Sequence, residues 1–310
     1  MIVRNFKNSD LIKMYRLWEL NLRHKWPIEY QDFERIIRST DSSHSHFIAE
    51  IDNHIVGFII TGISSTNNPR PRGSVVLIIV NQLDQGKGIG KKLLSIGERH
   101  LHSQGVVDIQ LGAGANAYFW PGVPENLPHA ISFFEKCDWK YSEDSVDLIG
   151  NLNEVRLPSN VYINTDIRIE ESSESDINEL LVFEQKNFPN WSDYFQYYAQ
   201  QNAYEDILLA KSKNGDIIGS VLLFGNGKAG DRFKWKRLIS GQVAGFGALG
   251  VKEDFRENGI GMAIALRATE TLSQRGFEYS YLGWTWLTDW YGKLGYQVWS
   301  SYRMSWKILE

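Results

Sequence analysis

Two short glycine-rich segments have residue types and a spacing that suit the binding of a phosphate group. They consist of Gln85, Gly86, Lys87, Gly88, Ile89 and Gly90, the first cradle, and of Arg256, Glu257, Asn258, Gly259, Ile260 and Gly261, the second cradle. Each cradle follows an apolar, strand-like run and precedes a segment with helical periodicity. A turn between a strand and a helix directs backbone N–H groups, and the positive end of the helix dipole, towards an anion. The sequence therefore predicts one anion-binding turn in each half of the chain.

Two common phosphate-binding motifs do not fit the first cradle. A P-loop requires G-x-x-x-x-G-K-[ST], but the residue after Gly90 and Lys91 is Lys92. The dinucleotide fingerprint requires G-x-G-x-x-G, whereas Gly86, Gly88 and Gly90 are evenly spaced. The spacing of the glycines therefore excludes both motifs.

The pattern Q/R-x-x-G-x-G/A fits both cradles, and the glycines at 259 and 261 follow those at 88 and 90 by 171 residues. With the strand before it and the helix after it, this pattern resembles the acetyl-CoA motif of the GNAT family of N-acetyltransferases. The resemblance extends over nearly the whole chain, in a tandem plan similar to that of mycothiol-synthase-like enzymes.

The resemblance and the repeated order of elements imply an α/β fold with a mixed α+β sheet, built as two tandem GNAT domains. Residues 1–150 are expected to form the N-terminal domain and residues 166–310 the C-terminal domain. Residues 151–165, which are rich in asparagine, have the composition of a linker.

The family resemblance also implies acetyl-CoA as the cosubstrate. Its pantetheine arm is expected beside the strand that precedes a cradle, and its pyrophosphate on the amides of the cradle. The residues expected to bind it are the twelve cradle residues together with Val80, Lys91, Leu249 and Val251.

Many members of this family protonate the leaving thiolate with a tyrosine in a phrase such as F-Y-x-x-x-G-F. Residues 290–296 match this phrase, and the resemblance implies that Tyr291 is the catalytic acid. In the N-terminal half Phe134 occupies the same place and has no proton to donate, and Tyr118 is the nearest other candidate. The strand segments 74–80 and 243–250 contain no Asp or Glu, so the identity of the general base stays open.

The charges around the cradles differ between the two halves. Lys87, Lys91 and Lys92 surround the first cradle, whereas the second combines Arg256 with acidic residues at 253, 254 and 257. The first cradle is therefore the better anion site, while Tyr291 belongs to the C-terminal half. Our hypothesis is that the C-terminal half catalyses, and that the N-terminal half binds acetyl-CoA structurally or has lost its activity.

Tryptophan residues near the expected acyl position are the candidates for contact with the acceptor. Trp120 lies in an insertion of 14 residues that the N-terminal half has between its cradle and Phe134. Trp284 and Trp286 precede Tyr291 in the C-terminal half. Each of these tryptophans forms either a pocket wall or part of a core, and the sequence leaves both alternatives open.

The composition of the chain further limits the possible classes of function. A net charge of −4 argues against a nucleic-acid-binding protein with a basic face. One cysteine, scattered histidines and short apolar runs predict a cytoplasmic protein without a disulfide, a metal site or a membrane span. We expect an acetyl-CoA-dependent N-acetyltransferase that acts on a primary amine of a small molecule or peptide. The alternative is a non-catalytic acyl-CoA-binding sensor or scaffold, and the oligomeric state stays open.

Overall fold

The computed structural model describes residues 1–40, 45–64, 71–113, 118–155, 167–230 and 233–309. The chain divides into a first unit, Met1–Ser145 with Ser300–Glu310, and a second unit, Val146–Trp299. Residues 156–165 of the expected linker lie outside the described residues, and the domain boundaries at 150 and 166 stay a prediction.

Helices and strands follow one another in the same order in both halves of the sequence, except that the first half has the additional short strand β6. The first half contains β1 Ile2–Asn5, α1 Leu11–Leu22, α2 Tyr30–Thr40, β2 His46–Ile51, β3 His54–Ser64, β4 Arg72–Val80, α3 Ile89–Ser103, β5 Asp108–Leu111, β6 Val123–Pro124, α4 Pro128–Glu135 and β7 Tyr141–Asn151. The second half contains β8 Arg168–Glu171, α5 Ile177–Asn187, α6 Ser192–Gln200, β9 Ile207–Lys211, β10 Ile217–Phe224, β11 Val243–Val251, α7 Ile260–Gln274, β12 Tyr279–Thr285, α8 Thr288–Gly292 and β13 Gln297–Ile308.

Each unit contains a mixed sheet. The strand order is β1-β2-β3-β4-β5-β13 in the first unit and β8-β9-β10-β11-β12-β7 in the second. The pairs β4–β5 and β11–β12 are parallel, and the other pairs within each unit are antiparallel. These sheets confirm the prediction of an α/β fold with a mixed sheet.

The helix after each cradle packs its apolar stripe on the sheet. In α3 the residues Ile89, Leu93 and Leu101 are buried against the core of the first unit. In α7 the residues Ile260 and Ile264 occupy the corresponding positions in the core of the second unit. The apolar residues recur every three to four positions, so that one face of each helix is buried. This packing fixes the N-terminus of each helix beside the preceding strand.

The strand at one edge of each sheet comes from the other half of the sequence. In the first unit β13 pairs with β5, with Trp306 opposite Gln110. In the second unit residues 146–151 of β7 pair with β12, with Ile149 opposite Tyr281. The repeat in the sequence and the units in space therefore divide the chain at different residues.

The two parallel strands of each unit are hydrogen-bonded over only part of their length. The pairing of β4 with β5 ends at Val75 and Leu111, although β4 continues to Val80. The pairing of β11 with β12 ends at Gly245, although β11 continues to residue 251. A β-bulge in β4 and another in β11 lie just beyond these points. One edge of β4 and of β11 is therefore open beside the cradle that follows.

We expect the first unit to require residues 300–310 for folding. A fragment of residues 1–145 lacks Tyr302 and Met304, which are fully buried and contribute about 2 kcal/mol each. We predict that this fragment shows no cooperative thermal transition by circular dichroism, and that joining residues 300–310 to it through a flexible linker restores one. The control is the same fusion with Met304→Asp, which should not restore it. Equal cooperativity of all three proteins would contradict the exchange of strands.

Candidate functional site

The first cradle has the backbone that an anion-binding turn requires. Gly86 and Gly88 have φ angles of 75° and 80°, in the left-handed region that glycine adopts without steric cost. Gly88 is the N-cap of α3, and its carbonyl accepts a hydrogen bond from the Lys92 amide at 3.0 Å. The amides of the first helical turn lack helical partners and are available to an anion.

The second cradle repeats this backbone with one strained residue. Gly259 is the N-cap of α7 with a φ of 71°, and its carbonyl accepts from the Ala263 amide at 3.0 Å. Glu257, at the position of Gly86, has a φ of 63°. A left-handed φ costs a residue with a side chain about 1 kcal/mol. Strain and negative charge together make the second cradle the less favourable anion site.

The first residue of each cradle ties the turn back to the strand before it. Gln85 Nε2 donates a hydrogen bond to the carbonyl of Val80 at 3.0 Å. Arg256 Nε donates to the carbonyl of Val251, also at 3.0 Å, and Asn258 Nδ2 donates to the carbonyl of Arg256. The Q/R position of the motif therefore has the same structural role in both units: it pairs the last carbonyl of the strand.

The cations near the first cradle have uncharged counterparts in the second. Lys87 Nζ lies 2.7 Å from Asp84 Oδ1, and Lys91 is exposed at the start of α3. The residues 171 positions later are Asn258 and Met262, of which Met262 is buried. The difference in charge that the sequence indicates is thus present at matching positions of the two cradles.

A cavity of about 810 Å³ extends from the first cradle along the open edge of β4 to α1. The expected binding residues that line it are Val80, Gln85, Gly86, Gly88, Ile89, Gly90, Lys91 and Trp120. Lys87 is not among the lining residues. The structure therefore brings the cradle, the open strand edge and Trp120 together around one cavity in the first unit.

Aromatic side chains form the wall at the α1 end of this cavity. Trp120 stacks on Trp18 with a centroid distance of 5.4 Å and an interplanar angle of 15°. Trp26 meets Trp120 edge-on at 5.3 Å, and its Nε1 donates to Asn126 Oδ1 at 2.9 Å. Trp120 is therefore both part of a packed core and a wall of the cavity. Tyr118 is not among the lining residues.

Helix α4 supplies hydrocarbon rings to the same cavity. Phe134, at the place where the family motif has its tyrosine, is buried and lines the cavity. Phe133 lies so close to Gly90 that a Cβ added there would be 3.0 Å from its ring. Cys137 also lines the cavity, and burial raises the pKa of its thiol. The residue at the tyrosine position of the first unit therefore has no hydroxyl that could donate a proton.

Tyr291 lies among aromatic rings in the second unit. Its ring centroid is 4.7 Å from that of Trp290, 6.2 Å from that of Phe246 and 6.1 Å from that of Tyr296. Trp290 in turn lies beside the second cradle, because a Cβ added to Gly261 would be 3.5 Å from its ring. The motif of residues 290–296 is thus packed directly against the cradle and β11.

The environment of Tyr291 keeps its hydroxyl protonated. Burial, and to a lesser degree the neighbouring Tyr296, raises the pKa of Tyr291 above its ordinary value. Its hydroxyl has no hydrogen-bond partner among the residues that the structure describes. Tyr296, by contrast, hydrogen-bonds with Ser280 and Thr269 through its hydroxyl, and burial raises its pKa to about 12. Of these two tyrosines, Tyr291 has the hydroxyl that is available to a ligand.

The other residues expected at the second site lie on β11, at the end of β12 and just after β12. Leu249 and Val251 pack in the core of the second unit. Trp284 has a φ of 55°, and its amide donates to Asp147 Oδ1 at 2.8 Å. Trp286 is 50% exposed. Neither tryptophan is enclosed, so their contact with an acceptor stays a prediction.

Polar residues of α1 and its extension were not predicted as part of the site. Asn21 and Lys25 line the cavity at its α1 end. They continue the stripe of Leu11, Met14 and Trp18 at spacings of three and four residues. A polar residue on an otherwise buried helical stripe is the signal that would have identified them.

Within the described ranges, no helix has the length and apolar character that crossing a bilayer requires. Among the same residues, no group of three or more His, Cys, Asp or Glu side chains is arranged to hold a metal ion.

The family model for the acetyltransferase (GNAT) family matches residues 11–139 and 176–296, which is well over half of the chain. The chain belongs to the GNAT family. Its members are acyl-CoA-dependent acyltransferases, and the match to two regions confirms two tandem GNAT repeats. No curated protein sequence matches the chain.

Solved structures of GNAT proteins resemble the whole chain. The glucosamine N-acetyltransferase region of a fungal multi-domain GH3 β-N-acetylglucosaminidase has 29% identity and a TM-score of 0.91, over 98% of this chain and 38% of that one. A GCN5-related N-acetyltransferase from Sphaerobacter thermophilus has 16% identity and a TM-score of 0.69, over 99% and 95% of the two chains. A tandem GNAT protein from the clavulanic acid biosynthesis pathway has 11% identity and a TM-score of 0.67, over 99% and 98%. The chain thus spans little more than a third of the fungal protein, and the last two show the fold alone.

Glu257→Gly should stabilise the protein by about 1 kcal/mol, because glycine adopts the left-handed φ of this position without strain. The reverse change at the matching position, Gly86→Glu, should destabilise by a similar amount. Urea unfolding of both variants and the wild type measures the two free energies. Equal stability of all three proteins would show that the cradles are not under this constraint.

Proposed function

We propose that the protein is an acetyl-CoA-dependent N-acetyltransferase whose acceptor is the primary amine of an amino sugar of the glucosamine class. The cavity of the first unit carries this proposal, because it joins an anion-binding cradle to an open strand edge and a polar far end. The choice of acceptor rests on the fungal glucosamine N-acetyltransferase region, which is 29% identical over 98% of this chain.

In the first unit, acetyl-CoA would lie in the cavity with its pyrophosphate at the amides of the first cradle. Lys91, which lines the cavity, adds a positive charge at the start of α3. The pantetheine arm carries amide groups, and the open edge of β4 offers backbone groups to pair with them. Asn21 and Lys25 would face the end of the cavity that is farthest from the cradle.

In the second unit, Tyr291 would serve the leaving thiolate of a second acetyl-CoA, whose thioester would lie beside the open part of β11. The amine nitrogen forms a bond to the thioester carbonyl carbon, and the bond from that carbon to sulfur breaks. A thiolate with a pKa of about 8.5 gains from a hydrogen-bond donor that stays protonated at neutral pH. The hydroxyl of Tyr291, which has no hydrogen-bond partner among the described residues and stays protonated at neutral pH, supports this role.

A non-catalytic acyl-CoA-binding protein is the second candidate. Phe134 favours it, because the large cavity of the first unit has a hydrocarbon ring where the motif has its proton donor. The two candidates differ in turnover: a sensor binds acetyl-CoA and transfers nothing to any amine.

Lys91→Glu should weaken the binding of acetyl-CoA by about 10-fold, because it reverses a charge that lines the cavity. Lys92→Glu is the matched control, since Lys92 is exposed on the same turn and does not line the cavity. Isothermal titration calorimetry at low salt measures both. Equal effects of the two substitutions would mean that the cavity does not hold the ligand.

Tyr291→Phe should lower kcat for glucosamine acetylation by about 100-fold, the usual contribution of a positioned general acid. Phe134→Tyr is the matched variant in the first unit and should leave kcat within about twofold of the wild type. Release of CoA is followed with a thiol reagent, and glucose, which has no amine, serves as the acceptor control. Undiminished turnover by Tyr291→Phe removes the tyrosine from the mechanism.

A further inference from the structure

Glu184 of α5 is a carboxylic acid inside the second unit without a charged partner. Its side chain is 0% exposed, and Oε1 accepts a hydrogen bond from Ser220 Oγ at 2.5 Å. Oε2 has no hydrogen-bond partner among the described residues. Burial raises the pKa of Glu184 to about 8, against a smaller lowering by Ser220. An unpaired buried carboxyl destabilises a fold, so a structural role alone does not account for it.

The position of Glu184 relates it to the open edge of β11. Ser220 on β10 lies opposite Gly250, one step from the bulge around Ala248, which has a φ of 52°. The pairing of β11 with β12 ends at Gly245, so this stretch of β11 belongs to its open part. Glu184 therefore lies close to the open part of β11, beside which the proposed function places the thioester.

Glu184 and Tyr291 approach β11 from opposite faces of the sheet. Tyr291 packs on Phe246, which belongs to the core on the α7 side. Ala248 belongs to the core on the α5 and α6 side, and a Cβ added to Gly250 would be 2.5 Å from the ring of Phe188, just after α5. An acid and a base on opposite faces of one strand can act on the two ends of a single acyl transfer.

The first unit has an aromatic side chain at each of the two equivalent positions. Asp10 and Asp176 both form a capping box before the first helix of their unit, which aligns α1 with α5. Eight residues after each aspartate come Trp18 and Glu184. Phe134 corresponds to Tyr291 through the F-Y-x-x-x-G-F phrase. The two positions proposed to exchange protons in the second unit are therefore both occupied by aromatic rings without a titrating group in the first.

We propose that Glu184 accepts the proton of the attacking amine in the second unit, with Tyr291 as the donor on the other side of the transfer. This inference rests on the proposed function. As the nitrogen–carbon bond forms and the carbon–sulfur bond breaks, the ammonium proton passes to the Glu184 carboxylate, through a water where the amine does not reach it. The departing thiolate takes the proton of the Tyr291 hydroxyl. Exchange with solvent then returns both groups to their starting states.

Among the residues that the structure describes, no charged side chain contributes to the pKa of the Glu184 carboxyl. The remaining titratable side chains of α5, α6 and the turn before α5 are Glu174, Asp176, Glu179, Lys186, Asp193, Tyr194, Tyr197 and Tyr198. Strands β10 and β11 carry no charged residue. Glu179 accepts from the Ile217 amide, and the Tyr198 hydroxyl donates to the Leu223 carbonyl. Burial and Ser220 are therefore the influences on the pKa of Glu184.

The test is the pH dependence of kcat/KM for glucosamine acetylation. In the wild type we expect a limb that rises through about pH 8, the pKa of Glu184. Glu184→Gln should lower kcat about 100-fold and remove this limb. Ser220→Ala should move the limb to higher pH, because it removes the hydrogen bond that favours the carboxylate. Glu179→Gln, on the same helix, should retain the rate and the profile of the wild type.

A purely structural role gives a different pattern. Because the folded-state pKa of Glu184 is raised above its ordinary value of 4.5, the wild type loses stability as the pH rises from that value towards 8. Glu184→Gln should not show this loss, whatever the role of the residue in catalysis. If Glu184→Gln fails to fold, the shift in Ser220→Ala decides alone.

Two failures can be told apart. If the wild type releases no CoA with any amine, the proposed function is wrong. If the wild type turns over and Glu184→Gln keeps its rate and profile, or Ser220→Ala leaves the limb in place, Glu184 is not the proton acceptor and the inference is overturned.

Discussion

The end of hydrogen bonding between two parallel strands is the constraint on which both sites depend. In each unit the parallel pair separates after a few residues, at Val75 in β4 and at Gly245 in β11. The backbone beyond that point has lost one neighbour and faces open space or a ligand. The cradle, the start of the following helix and the aromatic helix after β5 or β12 are all placed around this gap. A bulge in each central strand accompanies the divergence, as strand bending requires.

Both units share this separation of two parallel strands, and they differ in the residues that surround it. The first has glycine at position 86 and lysine side chains at the cradle, and it contains the large cavity. The second has a strained glutamate at 257 and a tyrosine available as a donor. Features that suit the binding of an anion are thus better developed in one unit, and a tyrosine hydroxyl without a described partner is present in the other. Duplication allows such a division, because each copy can lose what the other retains.

Local features of the fold and site were predictable from the sequence, whereas non-local ones were not. Glycine spacing and helical periodicity identified both cradles and the helices that follow them, since these signals depend on neighbouring residues. The hydrogen bonds that Gln85 and Arg256 donate to a strand carbonyl could be identified only in the structure. Glu184 was not predicted because a single acidic residue in a helix is normally exposed to solvent. The exchange of edge strands was not predicted because the sequence of a strand does not determine which strand it pairs with.

The exchange of edge strands also determines the order in which the two sheets can be completed during synthesis. The first sheet stays one strand short until residues 306–308 have been synthesised, after all the other strands of both sheets. In the second sheet, by contrast, the strand β7 is synthesised before all the other strands of that sheet. The first sheet therefore begins to form first and is completed last. Until then the nascent chain exposes an unpaired edge of β5, with which other strands can pair.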